Sequence, residues 1–277
     1  MTSLPIAPPP WTCKCEAYVL SFYNSASSGV PIDIAYDPLE ANVTSFSSQK
    51  DAGKYQGGLC MAQILRYSET PVGPYDELVV LPGFFNGIGP KGEKRKDSRI
   101  TGIWVSSKET LINGRRNWNI PKHLARFVFT PTGSSATKVE VFPSDPSSTR
   151  PFFNATIQPM NYVPSFPFSS TWISYLGIST HILQPPLPAG DPADLVVKTE
   201  GWRRSDPSIR SRKAKLVWMD MKQPDGARKT SGEGEEEGVA LLAKEENENW
   251  WPRMRRWHVG LYLPDATLKL GEPETWI

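Results

Sequence analysis

A chain of 277 residues, 39% hydrophobic and 22% charged, carries enough apolar material for one large core and excludes dependence on disulfide or metal staples. Its net charge of +2 arises from scattered groups (Lys91, Lys94, Arg95, Lys96; Arg203, Arg204; Arg253, Arg255, Arg256), which excludes the broad single-sign surface that nucleic acid requires. Its 27 prolines, about twice the usual share of roughly 5%, exclude long helices, because each removes a backbone donor and clashes inside a helix.

Residues 1–10, MTSLPIAPPP, read as a proline-rich arm, and Trp11 to Tyr23 are apolar enough to enter the fold. No basic region followed by an apolar core opens the chain, so no secretory signal is predicted. Without a run of 18 apolar residues, no membrane partner is predicted either. A cytoplasmic location with reduced thiols is the expectation, which makes Asn42-Val43-Thr44 and Asn154-Ala155-Thr156 chance matches to the glycosylation pattern. Cys13, Cys15 and Cys60 lack metal or redox spacing, and His123, His181 and His258 lie far from them in sequence, so no metal site is predicted.

Residues 24–57, rich in Ser, Asn, Gly and Asp, read as turns with a short helical piece. Strands are predicted at Leu59–Tyr67, Glu77–Leu81 and Arg99–Ser106, where β-branched and aromatic residues gather. Ser68–Asp76 is a turn-forming cluster between the first two. Residues 82–98 are predicted as a loop with a flexible basic tip, and Lys108–Asn113 as a short helix stopping at Gly114, where glycine accepts the left-handed conformation. Further strands are expected at Arg126–Thr130, Thr137–Phe142, Phe152–Ile157, Leu195–Thr199 and Lys213–Met221, with Trp257–Leu263 closing the sheet. Gln223–Asn249 shifts to low apolar content with an acidic run and reads as an exposed, partly disordered insertion in which Val239–Glu246 forms a turn or two of helix. Short spacing with Gly, Pro and Ser turns is the signature of a sheet, sandwich or barrel. One domain over 1–277 is expected, of α+β class and β-dominated.

Gly114–Leu124, GRRNWNIPKHL, is the stretch that carries chemistry. Pro121 fixes its own φ and pushes Ile120 towards an extended shape, which aims Lys122 in a defined direction. A lysine held in an apolar wall loses hydration and is biased towards the free amine, which attacks ketones to form an imine. The bland reading is a solvated surface lysine, the usual fate of this residue type. The adjacent Trp250-Trp251 and nearby Trp257 read as packing of the closing segment or an oligomer face, and His181 and His258 as structural. Gly87-Ile88-Gly89 lacks the ending of a phosphate loop and is a turn, and neither a Gly-x-Ser-x-Gly elbow nor a dinucleotide fingerprint is present.

The frame Gly114, Arg115, six residues to Pro121, then Lys122, His123, Leu124 resembles the signature of acetoacetate decarboxylases. Upstream, Val72-Gly73-Pro74-Tyr75-Asp76-Glu77 resembles the loop that brings that family's glutamate to the lysine. The resemblance implies a large antiparallel sheet closing into a barrel-like core with short helices, no cofactor and a homo-oligomer. It implies Lys122 as nucleophile towards a β-keto acid or related small carbonyl substrate, and Glu77 as the carboxylate that positions substrate or relays a proton. Arg115, His123 and Tyr75 complete the expected substrate-binding set. Two departures are visible. His123 stands in place of the family's second lysine, and a neutral imidazole brings no fixed charge. No acid stands near Ala62 and Gln63, where the family's other pocket glutamate falls. Decarboxylation, an aldol-type step or dehydration on a larger ketone all fit such a pocket, and a non-catalytic binding protein retaining the barrel pocket is the alternative.

Overall fold

Alternation of side chains along long strands, with both faces buried, decides the architecture. The computed structural model describes residues 5–48, 52–133, 135–191, 196–223, 249–252 and 254–277. In chain order the strands are β1 (Trp11–Asn24), β2 (Tyr55–Glu69), β3 (Tyr75–Leu81), β4 (Phe84–Ile88), β5 (Lys94–Ser98), β6 (Gly102–Val105), β7 (Lys122–Thr132) and β8 (Ala136–Pro143). They continue with β9 (Phe153–Pro159), β10 (Phe166–Ser169), β11 (Ile182–Gln184), β12 (Trp202–Ser205), β13 (Ser208–Asp220), β14 (Trp257–Leu270) and β15 (Glu274–Trp276). The helices are short: α1 (Ile32–Ala35), α2 (Pro38–Ala41), α3 (Thr44–Ser47), α4 (Lys108–Trp118) and α5 (Thr171–Ser174).

Strands β1, β14, β13, β9, β8, β7, β6, β3 and β2 are hydrogen-bonded in that order, and β2 pairs back with β1, closing a nine-stranded barrel. Every step is antiparallel except β6–β7, which is parallel. A second sheet of β4, β5, β11, β12 and β15 attaches through β2, and β10 lies on β13. Gly57 and Gly58, at φ +64° and +105°, let β2 leave the barrel and enter the second sheet. Among the described residues no helix is long and apolar enough to cross a membrane.

Successive residues of the barrel strands feed two separate apolar clusters. One set, including Tyr18, Leu20, Ile64, Leu78, Val141, Phe153 and Val217, comes from strands all round the barrel and fills its lumen. The Arg66 guanidinium lies 4.1 Å from the Phe129 ring centroid although their strands, β2 and β7, are not neighbours. Tyr36 and Phe46, from the helical stretch after β1, pack into this cluster, as do Trp250 and Trp251 against Phe22. The tryptophan pair is therefore core. The other set, including Leu65, Val79, Ile103 and Val105, lies on the outer face and meets Leu111 and Trp118 of α4 and Trp11 of β1. Each such side chain contributes about 1.5–3 kcal/mol by leaving water.

Several expectations are corrected. Residues 82–98 form a hairpin of β4 and β5, with Arg95 fixed between Glu93 and Glu274, each at 2.6 Å. The helix at Lys108 runs through Gly114 to Trp118, and Asn119 takes the left-handed cap at φ +54°. Of Leu195–Thr199, residues 196–199 are irregular, tied to Leu187 and Gly190 by single backbone bonds. The described part of the arm is pinned: Asn113 of α4 receives the Ala7 amide and donates to the Pro5 carbonyl. Most of the expected insertion, 224–248, including its helical piece, lies outside the described residues.

Candidate active site

A parallel pair cannot be joined by a hairpin, so β6 and β7 need a crossover, and α4 supplies it. The register places Ile103 beside Lys122, the first residue of β7. Lys122 is only 4% exposed. Its Nζ donates to Glu77 Oε2 at 2.7 Å and Thr110 Oγ1 at 2.8 Å, and lies 3.5 Å from the Tyr75 hydroxyl. Thr110 and Gly114 are one turn apart on α4, so both face the lysine. A Cβ on Gly114 would lie 2.6 Å from Lys122 Cδ and 2.7 Å from Cε. Glycine is present there because the lysine stem crosses the helix, not because the helix ends.

Strand pairing sets the other wall. Tyr67 faces Tyr75 and Leu65 faces Glu77 across β2 and β3. Glu77 is buried, and its second oxygen, Oε1, accepts from the Tyr67 hydroxyl at 3.1 Å. Burial, and then the charge of Glu77, push both tyrosine phenols well above their usual range, so they remain neutral donors. The same two causes, in the same order, raise the Cys13 thiol to about 11 and Cys15 to about 12. Neither is a thiolate nucleophile near neutral pH.

Lys122, Glu77 and Tyr75 line a cavity of about 240 Å³, whose remaining wall includes Met61, Val79, Ile103 and Leu268. This cavity lies on the outer face of the barrel strands, under α4, β10 and β11. The cluster of Tyr18, Leu20 and Ile64 occupies the opposite face of the same strands.

Arg115 and His123, expected at the pocket, are turned away from it. His123 follows Lys122 on a strand and points to the opposite face, where its Nε2 stands 2.6 Å from Glu40 Oε2 and its Nδ1 3.6 Å from Asp37 Oδ1. Arg115, with no solvent exposure, donates to Glu40 Oε1 at 3.0 Å and to the carbonyls of Pro188, Val197 and Lys122. Burial pulls its guanidinium below the usual value, with Glu40 opposing. His123, Asp37 and Glu40 bring ligand-type atoms within 4.8 Å of one another. The guanidinium already on Glu40 repels a cation there.

Thr110, Tyr67 and Glu40 were not foreseen. Tyr67 had a signal, since it ends a predicted strand in the same alternation as the residues opposite Glu77. Thr110 is visible once α4 is known to continue, four residues before Gly114. Glu40 had none, lying 75 residues from its arginine.

Gly114→Ala is expected to preserve the fold, because alanine favours a helix by up to about 1 kcal/mol over glycine. The displaced lysine stem should lose its alignment and slow carbonyl trapping about 100-fold. Borohydride trapping rates beside a thermal melt check this: normal trapping with an intact fold would remove the packing role assigned to Gly114.

No family model and no curated protein matches the chain. Among solved structures, an acetoacetate decarboxylase from Legionella pneumophila is similar at TM-score 0.54 and 11% identity, over 100% of this chain and 90% of that one. A second acetoacetate decarboxylase structure gives 0.54 and 11%, over 98% and 91%. The enduracididine biosynthesis enzyme MppR, complexed with the condensation product of pyruvate and imidazole 4-carboxaldehyde, gives 0.52 and 11%, over 98% and 90%. With its nine-stranded barrel and parallel crossover, this chain has the acetoacetate decarboxylase-like fold.

Proposed function

We propose that the protein is a Schiff-base enzyme of the acetoacetate decarboxylase-like superfamily, with Lys122 as nucleophile and Glu77 as its proton partner. The observation that supports this is a buried amine 2.7 Å from a buried carboxylate in the wall of a mostly apolar cavity that holds no other charged side chain among the described residues. Glu77 takes a proton from the amine, and the nitrogen attacks the carbonyl carbon. The carbonyl π pair moves to oxygen, which takes one proton from the nitrogen and the one held by Glu77 and departs as water while the nitrogen lone pair forms the protonated imine. The protonated imine then accepts the electron pair of a breaking bond on the adjacent carbon. Protonation of the resulting enamine and hydrolysis regenerate the lysine, and no cofactor enters the balance. A similar structure that holds a condensation product of pyruvate and an aldehyde favours carbonyl chemistry on this fold.

Borohydride reduction in the presence of ketones, aldehydes and keto acids, followed by peptide mass spectrometry, tests the reading. A reduced adduct on Lys122 is the expected result. Absence of any adduct across the panel, with ligand affinity unchanged in Lys122→Ala, would instead establish a binding protein. The apolar lining favours that second reading.

A further inference from the structure

Lys122 is the one cation and Glu77 the one anion among the described residues lining the cavity, and they are paired with each other. Arg115, the guanidinium expected to receive a substrate carboxylate, is spent on Glu40 and backbone carbonyls away from the cavity. The wall position from β2 beside Val79 is held by neutral Gln63. A keto acid bound with its carbonyl at Lys122 would therefore place its carboxylate among uncharged side chains, close to Glu77 and without a free counter-charge. Both desolvation and like-charge repulsion oppose that.

The rest of the wall is suited to something else. Leu59, Met61, Leu81, Ile103, Leu261 and Leu268 present hydrocarbon to the cavity from four strands, β2, β3, β6 and β14. A cavity of about 150 Å³ holds benzene, so the 240 Å³ here holds on the order of ten non-hydrogen atoms by the same proportion.

We infer that the Lys122 cavity takes an uncharged, medium-chain ketone or aldehyde, with its carbonyl at the amine and its hydrocarbon tail along the outer face of the barrel. This specificity rests on the imine reading for its chemistry but not for its binding. With no carboxylate to release, the bond broken beside the imine is a C–H bond or a bond to a neutral carbon. In the first case Glu77 receives the proton and the electron pair enters the imine, giving the enamine.

Trp11 and Trp118 form part of the cavity wall with ring centroids 5.1 Å apart, so tryptophan fluorescence reports occupancy. The probes are 2-pentanone through 2-undecanone, with acetoacetate and 2-oxooctanoate as charged counterparts, titrated into the wild-type chain and then reduced with borohydride. The half-saturating concentration should fall about fourfold per added methylene until the cavity is full. 2-Oxooctanoate should bind at least tenfold more weakly than 2-octanone. Length-dependent binding without an adduct would keep the ligand class and end the imine reading. Tighter binding or more efficient trapping of the keto acids would overturn the ligand class and leave the imine reading standing. No binding by any probe would overturn the inference outright.

Discussion

Lys122→Ala is expected to abolish borohydride trapping and to lower stability by about 3–5 kcal/mol, because it removes one member of a buried ion pair. The two effects have different origins. Trapping requires the nitrogen itself. Stability falls because Glu77, still buried, keeps Tyr67 on Oε1 but loses the ammonium on Oε2. Lys122→Met combined with Glu77→Gln removes both charges and keeps similar volumes, so it should recover most of the stability without restoring trapping. Glu77→Gln alone keeps an oxygen for the amine but cannot accept its proton, and trapping should slow by about 10²–10⁴-fold. Urea melts and adduct mass measure the two quantities separately. A Glu77→Gln protein that traps at the wild-type rate would remove the carboxylate from the mechanism.

Arg115→Ala is expected to cost a comparable 3–5 kcal/mol for the same physical reason, although Arg115 does not line the cavity and meets the site only at the Lys122 carbonyl. Glu40 and Arg115 are both without solvent exposure. Alanine leaves that carboxylate with His123 and frees the carbonyls of Pro188 and Val197 from their donor. Arg115→Lys should recover only part of the loss, since one ammonium cannot reach all the acceptors that a planar guanidinium spans. Chemical denaturation measures the size of the effect. An Arg115→Lys protein of unchanged stability that binds keto acids less well would return Arg115 to the substrate, contrary to its position.

The lysine frame was legible because its residues are local: a helix, a stiff Ile-Pro approach and a lysine in one stretch of eleven. Strand positions were legible from the clustering of β-branched and aromatic residues, although β2 and β14 run well beyond the stretches expected. Facing was not legible. Lys122 and His123 look like a paired site in sequence, yet adjacent residues of a strand point apart, and only the register with β6 decides which meets Glu77. Gly114 has the composition of a stop signal, but the neighbour that determines it is Lys122, met through the crossover. The basic run Lys94-Arg95-Lys96 has no apolar alternation, so nothing local announced β5. Its partners are β4 and, through Arg95, Glu274 near the end of the chain.

Glu40 ties three parts of the chain together: the short helix α2 that carries it, α4 through Arg115, and β7 through His123. Those bonds span 75 and 83 residues of sequence, and closing such loops costs entropy before any contact rewards it. The contacts that fix the polypeptide around the lysine are therefore long-range ones, which the local stretch cannot make by itself. The burial of Lys122 is assembled from β3, α4 and β7 together, so it belongs to the finished molecule and not to the stretch that carries the lysine.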